Sequence, residues 1–291
     1  MKKLKPGIKI YSDKQNGSLQ INSGVIHHLE QAPNELIFKS QKFIQQYEPE
    51  AYLPKRDWRP LKAEEYNILK GDHLNKKNFN SVFIGEIPDP LKVLFDKLNL
   101  ETAQSQDEVF EKFKNNHELV NDINVKVNEF IESISLGPYK FMSLATNYAN
   151  SEIVSLDKRK LPAGYTINDL RFIGVHKDSS QNMSLHTAHR FGNRITFNLG
   201  QESRYLLLIN LTMLQVYHMI KKEIDIKEHN INNKNITSYF MQLFPDYPML
   251  KIEQKPYHYY IAPTDNCFHD GSTFGSTSLD IVMTYLGKFL I

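Results

Sequence analysis

The chain has 291 residues, 41% of them hydrophobic and 23% charged, with 35 Lys and Arg against 33 Asp and Glu and a net charge of +2. So even a balance gives no electrostatic case for nucleic acid or an anionic membrane as the main partner. The single cysteine, Cys267, excludes an intramolecular disulfide and fits a cytoplasmic setting.

Met1-Lys2-Lys3 is basic, but no apolar run follows as in a signal peptide, and no stretch approaches the ~20 apolar residues of a membrane span. Residues 8–30 read as short strands and turns, with Ile8 to Tyr11 and Leu19 to Ile21 flanking Asn16-Gly17. A helix is expected from Asn34, its stripe formed by Leu36, Ile37, Phe43, Ile44 and Tyr47. Residues 54–90 read as loops around one short strand, Ser81 to Gly85. A helical block follows from about Leu91 to Ser135. Ser105 opens a capped helix start, and Leu119, Ile123, Val127, Phe130, Ile131 and Ile134 recur at spacings of three and four. Gly137-Pro138 stops it.

Beyond Pro138 the pattern changes to alternation and apolar runs. Expected strands cover Tyr139 to Ala145, Leu170 to His176, Met183 to Arg190, Arg194 to Gly200, Arg204 to Asn210, Lys255 to Ala262 and Leu279 to Leu286. Lys158-Arg159-Lys160 reads as a solvated turn, Thr212 to Glu223 as an amphipathic helix and Asn230 to Thr237 as a polar loop. An α-rich first half (1–138) thus precedes a β-rich second half (139–291). The expected fold is α+β: one domain with a double-stranded β-helix, a jelly roll of the cupin kind, braced by N-terminal helices. Nothing in the sequence specifies an oligomeric state.

Chemistry concentrates in two stretches. Ile173-Gly174-Val175-His176-Lys177-Asp178 runs a strand into His-x-Asp, and two positions apart on an extended chain the imidazole and carboxylate share a face. Far downstream, His269 follows a strand and a tight polar loop. Two imidazoles and one carboxylate are the donors of a facial triad, which binds Fe(II) and leaves positions open. His186 and His189, three apart in an extended segment, fall on opposite faces. His218 belongs to a helix, and Cys267 reads as a buried small side chain. No phosphate-binding glycine loop, nucleophile elbow or His-Glu-x-x-His is present.

With His-x-Asp and a distant histidine in a β-rich half, residues 139–289 resemble the Fe(II)/2-oxoglutarate-dependent oxygenases. The resemblance implies that His176, Asp178 and His269 bind iron. It also implies that 2-oxoglutarate and O2 are consumed to oxidise a C–H bond of a small polar metabolite, such as an amino acid or natural-product intermediate. Hydroxylation is the expected outcome, with desaturation or cyclisation possible on the same triad. Asp178 argues against halogenation, for which family members replace that carboxylate by a small residue. Many members carry an arginine soon after the distal histidine to pair with the far carboxylate of 2-oxoglutarate. Here that window, Leu279 to Thr284, holds no cation, and Asp280 has the opposite sign. Other members place the cation on an earlier strand. Arg194 stands in such a place and shares a strand face with Thr196 and Asn198, so these three and Arg204 are the candidate cosubstrate residues, with Asp280 a candidate partner of Arg194. Three alternatives use the same residues differently: a zinc-dependent hydrolase, an oxygenase independent of 2-oxoglutarate, and a metal-free jelly-roll binding protein.

Overall fold

The computed structural model describes residues 3–12, 18–71, 79–157, 161–179 and 183–290; the expected turns at Asn16-Gly17 and Lys158 to Lys160 lie outside them. The chain opens with short strands: β1 (Lys9–Ser12), β2 (Leu19–Ile21), β3 (Val25–His27), β4 (Glu35–Phe38), β5 (Gln41–Ile44), β6 (Tyr52–Pro54) and β7 (Arg59–Pro60). The helix expected from Asn34 is instead the β4–β5 hairpin, turned at Lys39 and Ser40, both with positive φ. Leu36 pairs with Phe43 across it. Residues seven apart meet on one face of a helix and equally across this hairpin, so the apolar stripe misled. Asn34 caps nothing; its Nδ2 donates to Gln45 Oε1 and to the Asn150 carbonyl.

Helix α1 (Ala63–Leu69), in a region read as loop, precedes β8 (Ser81–Glu86). The helical block then resolves into α2 (Asp89–Asp96), α3 (Gln106–Asn115) and α4 (His117–Ile134). The Ser105 side chain accepts from Glu108 N at the start of α3, as the motif predicts. Ile123, Val127 and Ile131 bury one stripe of α4. They pack with Ile195, Phe197, Tyr259, Ile261, Ile281 and Met283, which line one face of a large sheet.

The remaining elements are β9 (Lys140–Asn147), β10 (Asn193–Asn198), β11 (Arg204–Leu208), α5 (Met213–Ile220), α6 (Ile236–Leu243), β12 (Leu250–Gln254), β13 (His258–Ala262), β14 (His269–Ser272) and β15 (Asp280–Gly287). Among the described residues a six-stranded sheet runs β1-β8-β13-β10-β15-β9, and a five-stranded sheet runs β14-β11-β12-β2-β7. Every pairing in them is antiparallel except β1 with β8. The architecture is mixed α/β with mostly antiparallel sheets. The two sheets face each other across a core of Val82, Ile84, Leu206, Leu208, Leu250, Ile252, Tyr260 and Ala262. Behind the five-stranded sheet, α5 and α6 bury Met213, Val216, Phe240 and Met241 against Leu207 and Phe268.

The division into an α-rich first half and a β-rich second half needs correction. Up to Pro60 the described elements are seven short strands and one 3-10 turn, and β1, β2, β7 and β8 join the two main sheets. The sequence marks β1, β2 and β8 as strands, while β4 to β7, at two to four residues each, are too short to show alternation. The extended reading of Met183 to Arg190 also fails. The Thr187 hydroxyl accepts from Ser184 N, and a 3-10 turn covers Ala188–Arg190. The polar loop expected to Thr237 ends earlier, where α6 begins. Leu170 to His176 is no continuous strand: it makes isolated bridges at Phe172 and His176, and between them Gly174 adopts φ +81°. A Cβ there would lie 2.8 Å from the Tyr52 carbonyl oxygen, so backbone packing and dihedral both demand glycine.

Candidate metal centre

Main-chain pairing assembles the site. His176 N donates to His269 O at 3.1 Å, and His269 N returns a bond to His176 O at 2.7 Å. Asp178 N donates to Thr264 O at 3.1 Å. These bonds bring the distant histidine onto the edge of the His-x-Asp segment. One ligand atom from each of His176, Asp178 and His269 then lies within 4.8 Å of the others, and no other such group of three occurs among the described residues. His176 Nε2 is 3.8 Å from Asp178 Oδ1, and His269 Nε2 is 3.5 Å from Oδ2.

The donor set fits a divalent transition metal. An ion about 2.0–2.2 Å from each donor wants adjacent ligands roughly 3 Å apart, somewhat closer than the separations here. On His176 the other ring nitrogen, Nδ1, is 2.9 Å from the Gly174 carbonyl; on His269 it is 3.5 Å from the Cys267 carbonyl. A carbonyl only accepts, so a proton held at Nδ1 leaves Nε2 as the free donor facing Asp178. Asp178 Oδ2 is buried and faces two nitrogens, Arg194 Nη1 at 3.0 Å and His269 Nε2 at 3.5 Å. Burial pushes the Asp178 carboxyl up. The neighbouring His269 imidazole, then Arg194 and His176, outweigh it and hold the group well below the usual carboxylate range.

Arg194, Thr196 and Asn198 face the space between the sheets, while Ile195 and Phe197 pack beneath the helices. Arg194 does not meet Asp280. Its Nη1 lies 3.0 Å from Asp178 Oδ2, so it pairs with the candidate metal ligand. The Thr196 hydroxyl is 3.3 Å from that of Thr284. Asn198 binds the turn into β11: Nδ2 donates to the Glu202 and Gln254 carbonyls, and Oδ1 accepts from Gly200 N.

Asp280 pairs instead with Arg204, which is 3% exposed. Arg204 Nε lies 3.1 Å from Asp280 Oδ1, Nη1 donates to Gln254 Oε1 at 3.0 Å, and Asn147 Nδ2 donates to Asp280 Oδ2 at 2.6 Å. A Cβ on Gly271 would stand 2.6 Å from Arg204 Nη2. The guanidinium therefore fills the space where residue 271 has no side chain, one inward position beyond His269 on the same strand. The sequence signal for this pair was an acidic residue opening a final buried strand, which asks for a buried cation.

Asp270 sits behind His176, its Oδ2 3.6 Å from Nδ1. It adjoins His269 in sequence but serves the other histidine, a relation that only the pairing of the two segments creates. A cavity of about 860 Å³ adjoins the His176 segment, with Glu48, Glu50, Tyr52, Lys177 and Lys234 in its wall. No helix among the described residues is long and apolar enough to cross a membrane. Compared with known proteins, the chain matches no family model, no curated protein and no solved structure.

Proposed function

We propose that this chain is a mononuclear non-haem Fe(II)/2-oxoglutarate-dependent oxygenase that hydroxylates a small polar metabolite. The observation that carries the proposal is the convergence of His176, Asp178 and His269, with each Nε2 turned toward the carboxylate. Two nitrogens and one oxygen on one side of an ion leave the other positions for cosubstrate and oxygen.

The strand order supports it. Taking β9, the 170–178 segment and β10 to β15 as eight consecutive strands, the antiparallel partners are first with eighth, second with seventh, third with sixth and fourth with fifth. A long hairpin of four strand pairs, wound so that successive pairs alternate between two sheets, gives this order: a double-stranded β-helix.

When bound, Fe(II) with 2-oxoglutarate and O2 supplies the oxidising chemistry, with decarboxylation of the cosubstrate providing electrons. The protein positions the reactants. Arg194 neutralises Asp178 and occupies its Oδ2. Arg204 is the better partner for the far carboxylate of 2-oxoglutarate. Its Nη2 lies against Gly271, two residues past His269, and that interval on one strand face is roughly 6.6–7 Å, near the reach of a five-carbon chain. Asp280 and Gln254 hold the guanidinium in orientation. The cavity beside His176 mixes charged side chains with Ile173, Val175 and Met183, and Asp178, His269 and Arg204 are not in its wall.

Metal analysis combined with oxygen uptake in the presence of 2-oxoglutarate tests the proposal. Fe(II)-dependent uptake with succinate formed supports it. Tight Zn(II) binding with no 2-oxoglutarate turnover would favour the hydrolase.

A further inference from the structure

We propose that Asp270 is a positioning residue for the metal centre, holding His176 through its Nδ1–H so that Nε2 is presented to the ion. The proposal rests on the reading of His176, Asp178 and His269 as metal ligands and adds a residue from outside that triad.

The Asp270 side chain is completely buried. Its two oxygens have separate surroundings. Oδ1 accepts from Val154 N at 3.2 Å, Ser155 N at 3.2 Å, Ser155 Oγ at 2.9 Å and Gly271 N at 2.7 Å. Those donors fix the carboxylate in place. Oδ2 makes no hydrogen bond of normal length and faces His176 Nδ1 at 3.6 Å.

The neighbours of Nδ1 decide its protonation. The Gly174 carbonyl is 2.9 Å from it and the Asp270 carboxylate 3.6 Å, and both are acceptors. An acceptor facing an acceptor is repulsive, so with a cation between Nε2 and Asp178 the proton would belong on Nδ1 and the lone pair on Nε2. A carboxylate behind a ligating imidazole fixes tautomer and ring orientation and makes the nitrogen on the metal side a better donor. The proposal requires that the Nδ1–H, now 2.9 Å from the Gly174 carbonyl, be shared with Asp270 Oδ2 when the ion is bound. The strand pairing makes this a reciprocal arrangement. The segment that supplies His269 also supplies the carboxylate behind His176, so one register fixes a ligand and the support of the other ligand.

The bland alternative is that Asp270 only ties down the turn at Val154 and Ser155. Asp270→Asn separates the two roles. Its amide oxygen can take the place of Oδ1 and keep the turn, while its NH2 then faces the Nδ1–H, donor against donor. Zn(II) and Co(II) affinities are measured by competition with a chelator for the wild type and D270N, alongside the Tm of each metal-free protein. The expected result is an affinity loss of about 10–100-fold in D270N with the Tm little changed. Equal affinities in the two folded proteins would overturn the role of Asp270 and leave the metal site standing. Absence of metal binding by the wild type would overturn both. Should D270N fail to fold, imidazole 15N NMR of the Zn(II)-loaded wild type decides. His176 protonated at Nδ1 is the expected tautomer, and a proton on Nε2 contradicts the proposal.

Discussion

Arg194 lies on Asp178: its Nη1 stands 3.0 Å from Oδ2, the oxygen that also lies 3.5 Å from His269 Nε2. Asp280, the carboxylate facing the same interior, is taken by Arg204 from a different strand. The space between the sheets thus holds two guanidinium–carboxylate pairs at two depths, one at the candidate metal and one beyond it.

The deeper pair makes a stability prediction. Asp280→Ala leaves the buried Arg204 without a countercharge, and breaking a buried pair this way costs about 3–5 kcal/mol. Urea unfolding of the metal-free protein should show that loss. Replacing both residues by leucine should cost less than either single change, because no uncompensated charge remains. A single-mutant effect within experimental error would show that the pair is not buried as described.

The same pair makes a cosubstrate prediction. Arg204→Lys keeps the charge but loses the fork, and should raise the 2-oxoglutarate requirement by about tenfold or more while Fe(II) affinity stays unchanged. Gly271→Ala should act in the same direction, since a Cβ there meets Arg204 Nη2 at 2.6 Å and Val154 Cγ2 at 2.7 Å. If R204K leaves the requirement unaltered while Arg194→Lys raises it, the far carboxylate belongs to Arg194.

Metal binding should weaken as pH falls. In the metal-free protein burial pushes the His176 imidazole down, but the Asp270 carboxylate 3.6 Å from Nδ1, then the charge of Asp178, outweigh it and the net shift is upward. Asp178 is shifted the opposite way and stays ionised far into the acid range. An incoming ion must therefore displace a proton from His176, and affinity should drop as pH falls through that raised value. For the metal-free fold the sign reverses. The stabilisation that His176 gains from Asp270 is complete below the unfolded imidazole value and is lost as pH rises through the folded one. Zn(II) competition titrations from about pH 6 to about pH 8.5 should show the slope, and a flat profile would contradict it.

The helical brace should carry stability without chemistry. Ile131 on α4 is fully buried over the outer face of the large sheet. Ile131→Ala should cost about 2–5 kcal/mol in unfolding experiments while metal stoichiometry is retained. Loss of the metal at full occupancy of the folded state would mean that the helices shape the site directly.

Where the sequence was legible, local chemistry and local geometry agreed. The α4 stripe, the Ser105 cap and the shared strand face of Arg194, Thr196 and Asn198 all follow from patterns local to a single element. His176, Asp178 and His269 were legible as donors because few residue types bind metals. Their convergence depends on the pairing of His176 with His269, which no local pattern states. The β4–β5 hairpin was misread because Leu36 and Phe43 satisfy both a helix and an antiparallel register. The partners of Arg194 and Arg204 were not legible, because which guanidinium reaches which carboxylate depends on strand order. Asp270 stood in plain view beside His269, but its neighbour in space is His176, which lies on another segment.

The iron and cosubstrate assignment is tested by anaerobic titration of the metal-free protein with Fe(II) and then 2-oxoglutarate, followed by visible absorption. The expected result is one Fe(II) per chain and a metal-to-ligand charge-transfer band that appears only when both are present. The band should be absent from H176A, D178A and H269A. Fe(II) binding to the wild type without any band on addition of 2-oxoglutarate, or an unchanged band in those three variants, would contradict it.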